Sequence, residues 1–187
     1  TLVEQPLMRN VLADLALESE AATALAMRAA RAVDAAERDP VEAAFARIIT
    51  PVGKYYVCKR TPTFVNEAQE CLGGIGYVEE NILPRLYRQA PLNSIWEGSG
   101  NVQCLDVLRA LRREPETREA FFAELLKARG LHAALDREID WLNATLDDVQ
   151  GLELRSRYVV ERMALATQAA LLLTCGQDGI GAAFCDS

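Results

Sequence analysis

The chain has 187 residues, half of them apolar and a quarter charged, with a net charge of −7 and a single histidine. This composition is too apolar for a disordered chain, and one histidine excludes sites that need several, such as zinc on an H-E-x-x-H helix. We expect no metal site. No apolar run approaches the roughly 18 to 20 residues of a membrane helix, so no membrane partner is expected.

The five cysteines are widely spaced and form no C-x-x-C pair, which fits neither a disulfide framework nor a zinc site. We expect them to be small buried apolar residues in a reducing cytoplasm, and the chain to be cytoplasmic. No local signature links His132 to a cysteine, so a structural role is expected for His132. Thr1 is not a start residue, and the first residues are expected to lie within a longer protein.

Helical periodicity dominates the first part of the chain. Apolar residues recur at three- and four-residue steps from Met8 to Val33, which predicts one long helix. The pair Asp39-Pro40 predicts the end of that helix and the start of the next, with Asp39 as N-cap and Glu42 as its capping-box partner.

The second helix is expected to be kinked or interrupted at Pro51 and to run to about Arg60. There, Thr61-Pro62 repeats the cap-plus-proline signal and predicts a third helix that ends near Leu72.

Helical periodicity is lost between Gly73 and Gly100, a run longer than most loops. Such long loops are typically functional or disordered, and the aromatic and apolar residues in this one favour order. A fourth helix is predicted from its N-cap Ser99 to the break at Glu114-Pro115.

The remainder predicts three or four further helices punctuated by glycines, at about 116–129, 131–148, 152–175 and 177–185. No strand alternation persists over five residues. The sequence therefore predicts an all-α fold, with a helical bundle over residues 1–113 and a helical C-terminal extension over residues 114–187.

One candidate functional segment holds three glycines in four positions, Gly73, Gly74 and Gly76. A glycine backbone can approach a ligand closely or adopt a positive φ. A helix C-cap followed by a turn explains the same glycines. The segment is not a dinucleotide fingerprint, which needs a preceding strand and a following helix.

The other candidate segment places a carboxylate two residues before a helix cap. Glu97 lies between apolar Ile95-Trp96 and small Gly98–Gly100, and apolar surroundings make a carboxylate a stronger general base. The N–H groups of residues 100–102 and the Ser99 hydroxyl form an anion site suited to a phosphate or pyrophosphate. A base beside a phosphate site indicates an enzyme with a nucleotide cofactor, although an acid near a helix N-terminus also simply complements the dipole.

In this order and separation, the two segments resemble the C-terminal helical domain of the acyl-CoA dehydrogenase family, over about Met8 to Arg113. Leu72–Tyr77 resembles the glycine motif of the family, and Ile95–Asn101 resembles its tyrosine-glutamate-glycine-threonine segment. Pro84–Arg88, which lies between these two segments, also resembles the family sequence. The sequence of Pro91–Asn101 resembles that of one branch of the family, the alkylation-response (AidB-type) flavoproteins. Members of this branch carry a helical extension after the bundle.

The resemblance implies α,β-desaturation of an acyl-CoA substrate. Glu97 would remove the α-proton, and the β-hydrogen would leave as hydride to FAD. The Glu97 N–H would bond the thioester carbonyl and stabilise the developing enolate. The resemblance also implies that Ser99 and Asn101 hold FAD, and that Gly73 and Gly74 approach FAD from the neighbouring subunit of a homo-oligomer, a dimer or tetramer.

Three positions depart from the family pattern. Glu70 stands where the family has a cofactor-binding glutamine, with Gln69 one residue away; Trp96 replaces a tyrosine; and Asn101 replaces a longer glutamine. The family also has upstream domains that supply much of the flavin and substrate site. We therefore expect this chain to be the C-terminal portion of a longer protein, binding FAD weakly or not at all alone and without dehydrogenase turnover.

Two other functions remain open. The alkylation-response branch is linked to DNA protection, which makes duplex DNA an alternative partner, although the acidic balance argues against a duplex-binding surface, which is normally basic. Seven arginines of the later helices would have to line one face for this function: Arg109, Arg112, Arg113, Arg118, Arg155, Arg157 and Arg162. The other alternative is a helical assembly module.

Overall fold

The computed structural model describes residues 1–175 and 179–187, and every regular element in these ranges is helical. The all-α prediction is therefore confirmed. The α-helices are α1 (Pro6–Ala35), α2 (Pro40–Leu72), α3 (Gly74–Tyr77), α4 (Leu83–Asn93), α5 (Gly100–Arg113), α6 (Pro115–Leu126), α7 (Ala133–Thr145), α8 (Ser156–Thr174) and α9 (Ile180–Asp186). Short 3-10 turns at Leu2–Glu4 and Val149–Arg155 precede α1 and α8.

The boundary between α1 and α2 follows the predicted cap in part. Asp39 is the N-cap of α2, and its carboxylate accepts hydrogen bonds from the backbone N–H groups of Val41 and Glu42. The capping-box prediction for Glu42 is wrong, because its carboxylate instead receives two hydrogen bonds from Arg28 of α1. The residue thus ties α2 to α1 rather than completing its own cap.

The predicted helix break at Thr61-Pro62 is also wrong, since α2 runs unbroken through Pro51 and Pro62. Each proline follows a threonine whose hydroxyl donates to the carbonyl four residues earlier, Thr50 to Ala46 and Thr61 to Val57, both at 2.7 Å. Helix α2 also packs against five other long helices. Tertiary packing on this scale outweighs the local cost of a proline in a helix.

The segment between Gly73 and Gly100 is ordered, as expected, but it is more helical than its composition predicts. It contains the short helix α3 and the eleven-residue helix α4. The Asn81 side chain accepts from the N–H of Leu83 at the start of α4, and Pro84 occupies the first turn, where a missing N–H costs little. The turns around Gly73 and Glu97 flank these two helices.

The predicted helices of the second half are present as α6, α7, α8 and α9, with shorter bounds than the sequence indicates. The part of the last prediction on residues 177–178, and Gly176, lie outside the described residues. Buried side chains of α6, α7 and α8, such as Phe121, Leu142 and Met163, belong to the same apolar core as Phe45 and Ile48 of α2. Residues 114–187 are therefore packed onto the bundle; their division into a separate unit stays a prediction.

Two polar contacts reinforce that packing. Arg28 of α1 is nearly buried and pairs with both Glu42 of α2 and Glu124 of α6. His132 is the N-cap of α7: its Nδ1 accepts from the N–H of Ala134, and its Nε2 lies 3.3 Å from a carboxylate oxygen of Asp186 in α9. The structural role expected for His132 is thus observed.

The cysteine prediction holds only in part. Cys104 is buried, Cys58, Cys71 and Cys185 are partly buried, and Cys175 is exposed, and all five are free. In the described ranges, no helix is both long and apolar enough to cross a bilayer.

Candidate active site

The Glu97 segment forms a strained turn between α4 and α5. Glu97 has a φ of 55° and Gly98 a φ of 100°, so two successive residues occupy the left-handed region, which costs a non-glycine residue about 1 kcal/mol or more. The amide nitrogen of Gln103 donates to the carbonyl oxygens of Glu97 at 2.9 Å and Gly98 at 3.2 Å. A helical side chain therefore holds the turn in place.

The Glu97 side chain is exposed and lines a groove of about 520 Å³ among α1, α2 and α5. Lys54 lines the same groove, and its ammonium group donates to the carbonyl of Asn93 at the end of α4. The flanking residues were expected to enclose the Glu97 carboxylate in apolar surroundings. Ile95 and Trp96 do not do so, because they are 64% and 53% exposed to solvent.

The start of α5 offers backbone donors without a side-chain cap. Ser99 is the N-cap as predicted, but its hydroxyl makes no capping hydrogen bond. Ser99 and Asn101 are both exposed, whereas Gly100 is buried. Uncapped N–H groups at the positive end of a fourteen-residue helix fit an anionic group such as a pyrophosphate.

The glycine segment forms the turn from α2 to α3. Gly73 has a φ of 62° and is the C-cap of α2, so the capping explanation is observed. A Cβ on Gly74 would meet no heavy atom within 4 Å, which leaves that side of the backbone open to a ligand. Gly76 differs, because its Cβ would lie 2.4 Å from the backbone oxygen of Gln69.

The two candidate glutamine-equivalent residues have different environments. Gln69 is buried, and its amide nitrogen donates to the carbonyl of Gly76 at 3.2 Å, so it supports the turn. Glu70 is exposed and accepts from the Asn66 amide at 2.7 Å. The groove that contains Glu97 is lined by neither Glu70 nor the glycines. The structure therefore presents two separate surface features rather than one pocket.

Sequence reasoning missed the residues that support these features. Gln103 lies one position beyond the residue that would complete a capping box with the N-cap Ser99. Nothing in the local sequence pattern indicates its hydrogen bonds to Glu97 and Gly98. Behind the start of α5, burial raises the pKa of the Cys104 thiol to about 11, against an opposing effect of Arg157. Burial also raises the pKa of Tyr55. Cys104 is thus an inert core residue beside the site rather than a reactive one.

The arginines proposed to face DNA are partly neutralised. Arg109 pairs with Asp106, Arg118 with Asp147, and Arg162 with Glu138. These three side chains therefore add little uncompensated positive charge to the surface of α5, α6 and α8.

The comparison with known proteins identifies the family of the chain. The family model described as acyl-CoA dehydrogenase, C-terminal domain, matches residues 1–112, which include both candidate segments. The chain belongs to the acyl-CoA dehydrogenase family. The resemblance found in the two motifs is thereby confirmed at the level of the family.

One relative extends the similarity over almost the whole chain. The chain is 42% identical to AidB of Escherichia coli K12 over 184 residues, covering 98% of this chain and 34% of that protein. It is 42% identical over 107 residues to acyl-CoA dehydrogenase family member 11 of Caenorhabditis elegans, covering 56% of this chain and 17% of that one.

A solved structure matches the fold over almost the whole chain. The ACDH-11 protein of Caenorhabditis elegans, in complex with C11-CoA, superposes with a TM-score of 0.86 at 29% identity. The match covers 97% of this chain and 36% of that one. The chain thus spans about a third of the length of AidB and of the ACDH-11 structure.

Proposed function

We propose that this domain supplies the catalytic base and part of the FAD site of a flavin-dependent acyl-CoA dehydrogenase. The observation that carries the proposal is the position of Glu97, in a left-handed turn immediately before the uncapped start of α5. A general base must lie within hydrogen-bond reach of the proton that it removes. The exposed Glu97 carboxylate can accept the α-proton of a thioester bound beside it, while its N–H bonds the thioester oxygen.

The residues around the α5 start fit the cofactor. The N–H groups of residues 100–102, with Ser99 and Asn101, would hold the FAD pyrophosphate. Bound FAD supplies the acceptor for the hydride that leaves the β-carbon, so the substrate loses one proton and one hydride and becomes the α,β-unsaturated thioester. Within this chain, Gln103 keeps the base and the helix start in a fixed relation.

The glycine turn would serve the FAD of a second subunit. Gly73 and Gly74 leave an open backbone surface, Glu70 is exposed beside them, and neither glycine lines the Glu97 groove. Ile75 and Tyr77 in the same turn are 70% and 77% exposed, an apolar area suited to burial in a dimer or tetramer. A monomer in light scattering of the full-length protein would contradict this arrangement.

Substitution of Glu97 tests the catalytic proposal. In the full-length parent protein, Glu97→Gln should slow flavin bleaching by a panel of acyl-CoAs by at least about 100-fold, the usual worth of a general base. Flavin content should stay unchanged. Glu80→Gln, which alters another exposed carboxylate of the same region, should bleach like the wild type. Wild-type bleaching by Glu97→Gln would remove Glu97 as the base.

Duplex DNA ranks second as a partner. The net charge of −7 and the carboxylate partners of three of the seven arginines do not favour it. A salt-dependent shift of duplex DNA by the chain would support this function. If the chain binds no DNA even at low salt and acyl-CoA bleaches the flavin of the full-length protein, the dehydrogenase function is the one that remains.

A further inference from the structure

A cavity of about 650 Å³ lies where the C-terminal extension meets the bundle. Its walls come from α1, α2, α7, α8 and α9, and it shares no lining residue with the Glu97 groove. Helix α9 packs tightly against α8, because a Cβ on Gly181 would lie 2.8 Å from the backbone nitrogen of Leu173. The extension therefore completes a space of the size that small-molecule sites in proteins have.

One buried side chain that lines this cavity lacks a partner. Gln168 of α8 is 1% exposed, and neither its amide nitrogen nor its amide oxygen has a hydrogen-bond partner among the described residues. Thr167 beside it is also buried, but its hydroxyl donates to the carbonyl of Met163. A buried amide without partners destabilises the folded state. The Gln168 amide therefore calls for a bound group that pairs with it.

The charged groups of the cavity walls are paired between helices. Arg60 of α2 pairs with Glu18 of α1 at 2.9 Å, and Arg162 of α8 pairs with Glu138 of α7. Asp14 also lines the cavity and is exposed. Two neutralised pairs and one further carboxylate offer no uncompensated positive charge to an anion, so the cavity suits an uncharged molecule.

The polar and aromatic groups narrow the chemistry of that molecule. A glutamine amide presents a donor beside an acceptor, so its complement is an acceptor beside a donor, as in the edge of another amide or of a nucleobase. Tyr56 and Phe184 line the same cavity and supply aromatic surface suited to a flat ring. Burial raises the pKa of Tyr56 to about 12, which keeps its hydroxyl protonated.

We propose that this cavity binds an uncharged small molecule with an amide edge, a carbonyl beside an N–H, on a flat ring, and that Gln168 pairs with this edge. Such binding does not depend on the dehydrogenase function, because the cavity is separate from the Glu97 groove. Two sources share this chemistry. One is a ring amide, as in uracil, and the other is a carboxamide on an aromatic ring, as in nicotinamide.

Ligand-observed NMR titration of the full-length protein with uracil and with nicotinamide tests the site. At least one probe should bind saturably at millimolar concentration, and the probe that binds identifies the source. Dimethyluracil, methylated at both ring nitrogens, and nicotinic acid, which carries a carboxylate instead of the amide, should each bind at least about 10-fold more weakly than the parent probe. Gln168→Met should weaken binding of the parent probe by a similar factor.

Thermal unfolding without a probe separates a binding role of Gln168 from a structural one. Gln168→Met removes two unpartnered polar atoms and should raise the unfolding midpoint or leave it unchanged, since no hydrogen bond is lost. Gln69→Met is the matched control, because Gln69 is also buried but donates to the carbonyl of Gly76. This control should lower the midpoint and leave probe binding unchanged.

Several results would overturn the proposal. They are the absence of binding by both probes, equally tight binding of the two analogues, and wild-type probe affinity of Gln168→Met. A midpoint of Gln168→Met that falls as that of Gln69→Met does would also overturn it, because ordered water would then already satisfy the amide.

Discussion

At the scale of single residues, the proposed chemistry depends on one unusual backbone position. Glu97 is the one non-glycine residue with positive φ in the described part of the chain, and such strain persists only where surrounding contacts hold it. Gln103 supplies those contacts through its two hydrogen bonds to the turn. The orientation of the proposed base should therefore depend on Gln103, whose amide bonds to the backbone of the turn rather than to the Glu97 carboxylate.

Replacement of Gln103 tests this dependence. Gln103→Ala removes both hydrogen bonds and should lower the rate of flavin bleaching by acyl-CoA in the full-length protein about 10-fold, because the turn relaxes. The free energy of unfolding should fall by only about 1 kcal/mol. Gln89→Ala, at an exposed position of α4, should change neither quantity. A bleaching rate that matches the wild type would show that the turn holds without Gln103.

The glycine turn allows a second test at this scale. Gly76→Ala would place a Cβ 2.4 Å from the backbone oxygen of Gln69, so the turn must move, and the free energy of unfolding should fall by about 1 to 3 kcal/mol. Gly74→Ala meets no heavy atom within 4 Å and should change stability by less than about 0.5 kcal/mol. Urea denaturation of both variants gives the comparison; equal stability would mean that α3 shifts freely.

At the scale of elements, a buried ion pair joins the extension to the bundle. Arg28 donates to Glu124 through Nε and Nη2, both at 2.9 Å, and the two side chains are 9% and 8% exposed. Burial opposes ionisation of Glu124, but hydrogen bonds from Arg28 and Lys127 outweigh it and hold the pKa of the carboxyl below its usual value. The ionised form therefore stabilises the folded state above the ordinary glutamate pKa, and this contribution is lost as pH falls through the lowered folded-state pKa.

Glu124→Gln should lower the free energy of unfolding by about 3 kcal/mol at pH 7, because it leaves the Arg28 charge without one of its two buried partners. The difference from the wild type should shrink below about pH 4, where the wild-type carboxyl also becomes protonated. Glu119→Gln, on the exposed side of the same helix, serves as the control. A pH-independent difference would assign the effect to packing instead of charge.

The helices also show how far local pattern predicts this fold. Periodicity and the Asp39 cap predict α1 and the start of α2 because both signals are local. Thr61-Pro62 predicts a break that packing overrides, and α4 is missed because its prolines lie in the first turn and near its end. The residues of the candidate site likewise divide into those that the local sequence predicts and those that it does not. Glu97 and Ser99 are visible as a motif, whereas Gln103 supports the turn through contacts that only the folded chain brings together.

At the scale of the whole molecule, the donors of the proposed cofactor site lie on an open surface. Glu97, Ser99 and Asn101 are exposed, and the backbone donors of α5 can contact only one side of a pyrophosphate. Residues 1–113 and 114–187 share one apolar core, so the chain should fold while leaving this half-site uncovered. Most of the flavin surface would then stay in water, and little apolar area would be buried on binding.

The 187-residue chain alone should therefore bind FAD with a dissociation constant in the millimolar range, equivalent to only about −4 kcal/mol. Flavin fluorescence should show no saturation at micromolar chain, whereas the full-length protein should quench it stoichiometrically. Circular dichroism of the same sample would confirm a helical fold, so that weak binding is not mistaken for unfolding. If a folded preparation of the chain retained stoichiometric flavin through purification, the half-site would be sufficient, and the features on the surface of α4 and α5 would have to close around the cofactor without further domains.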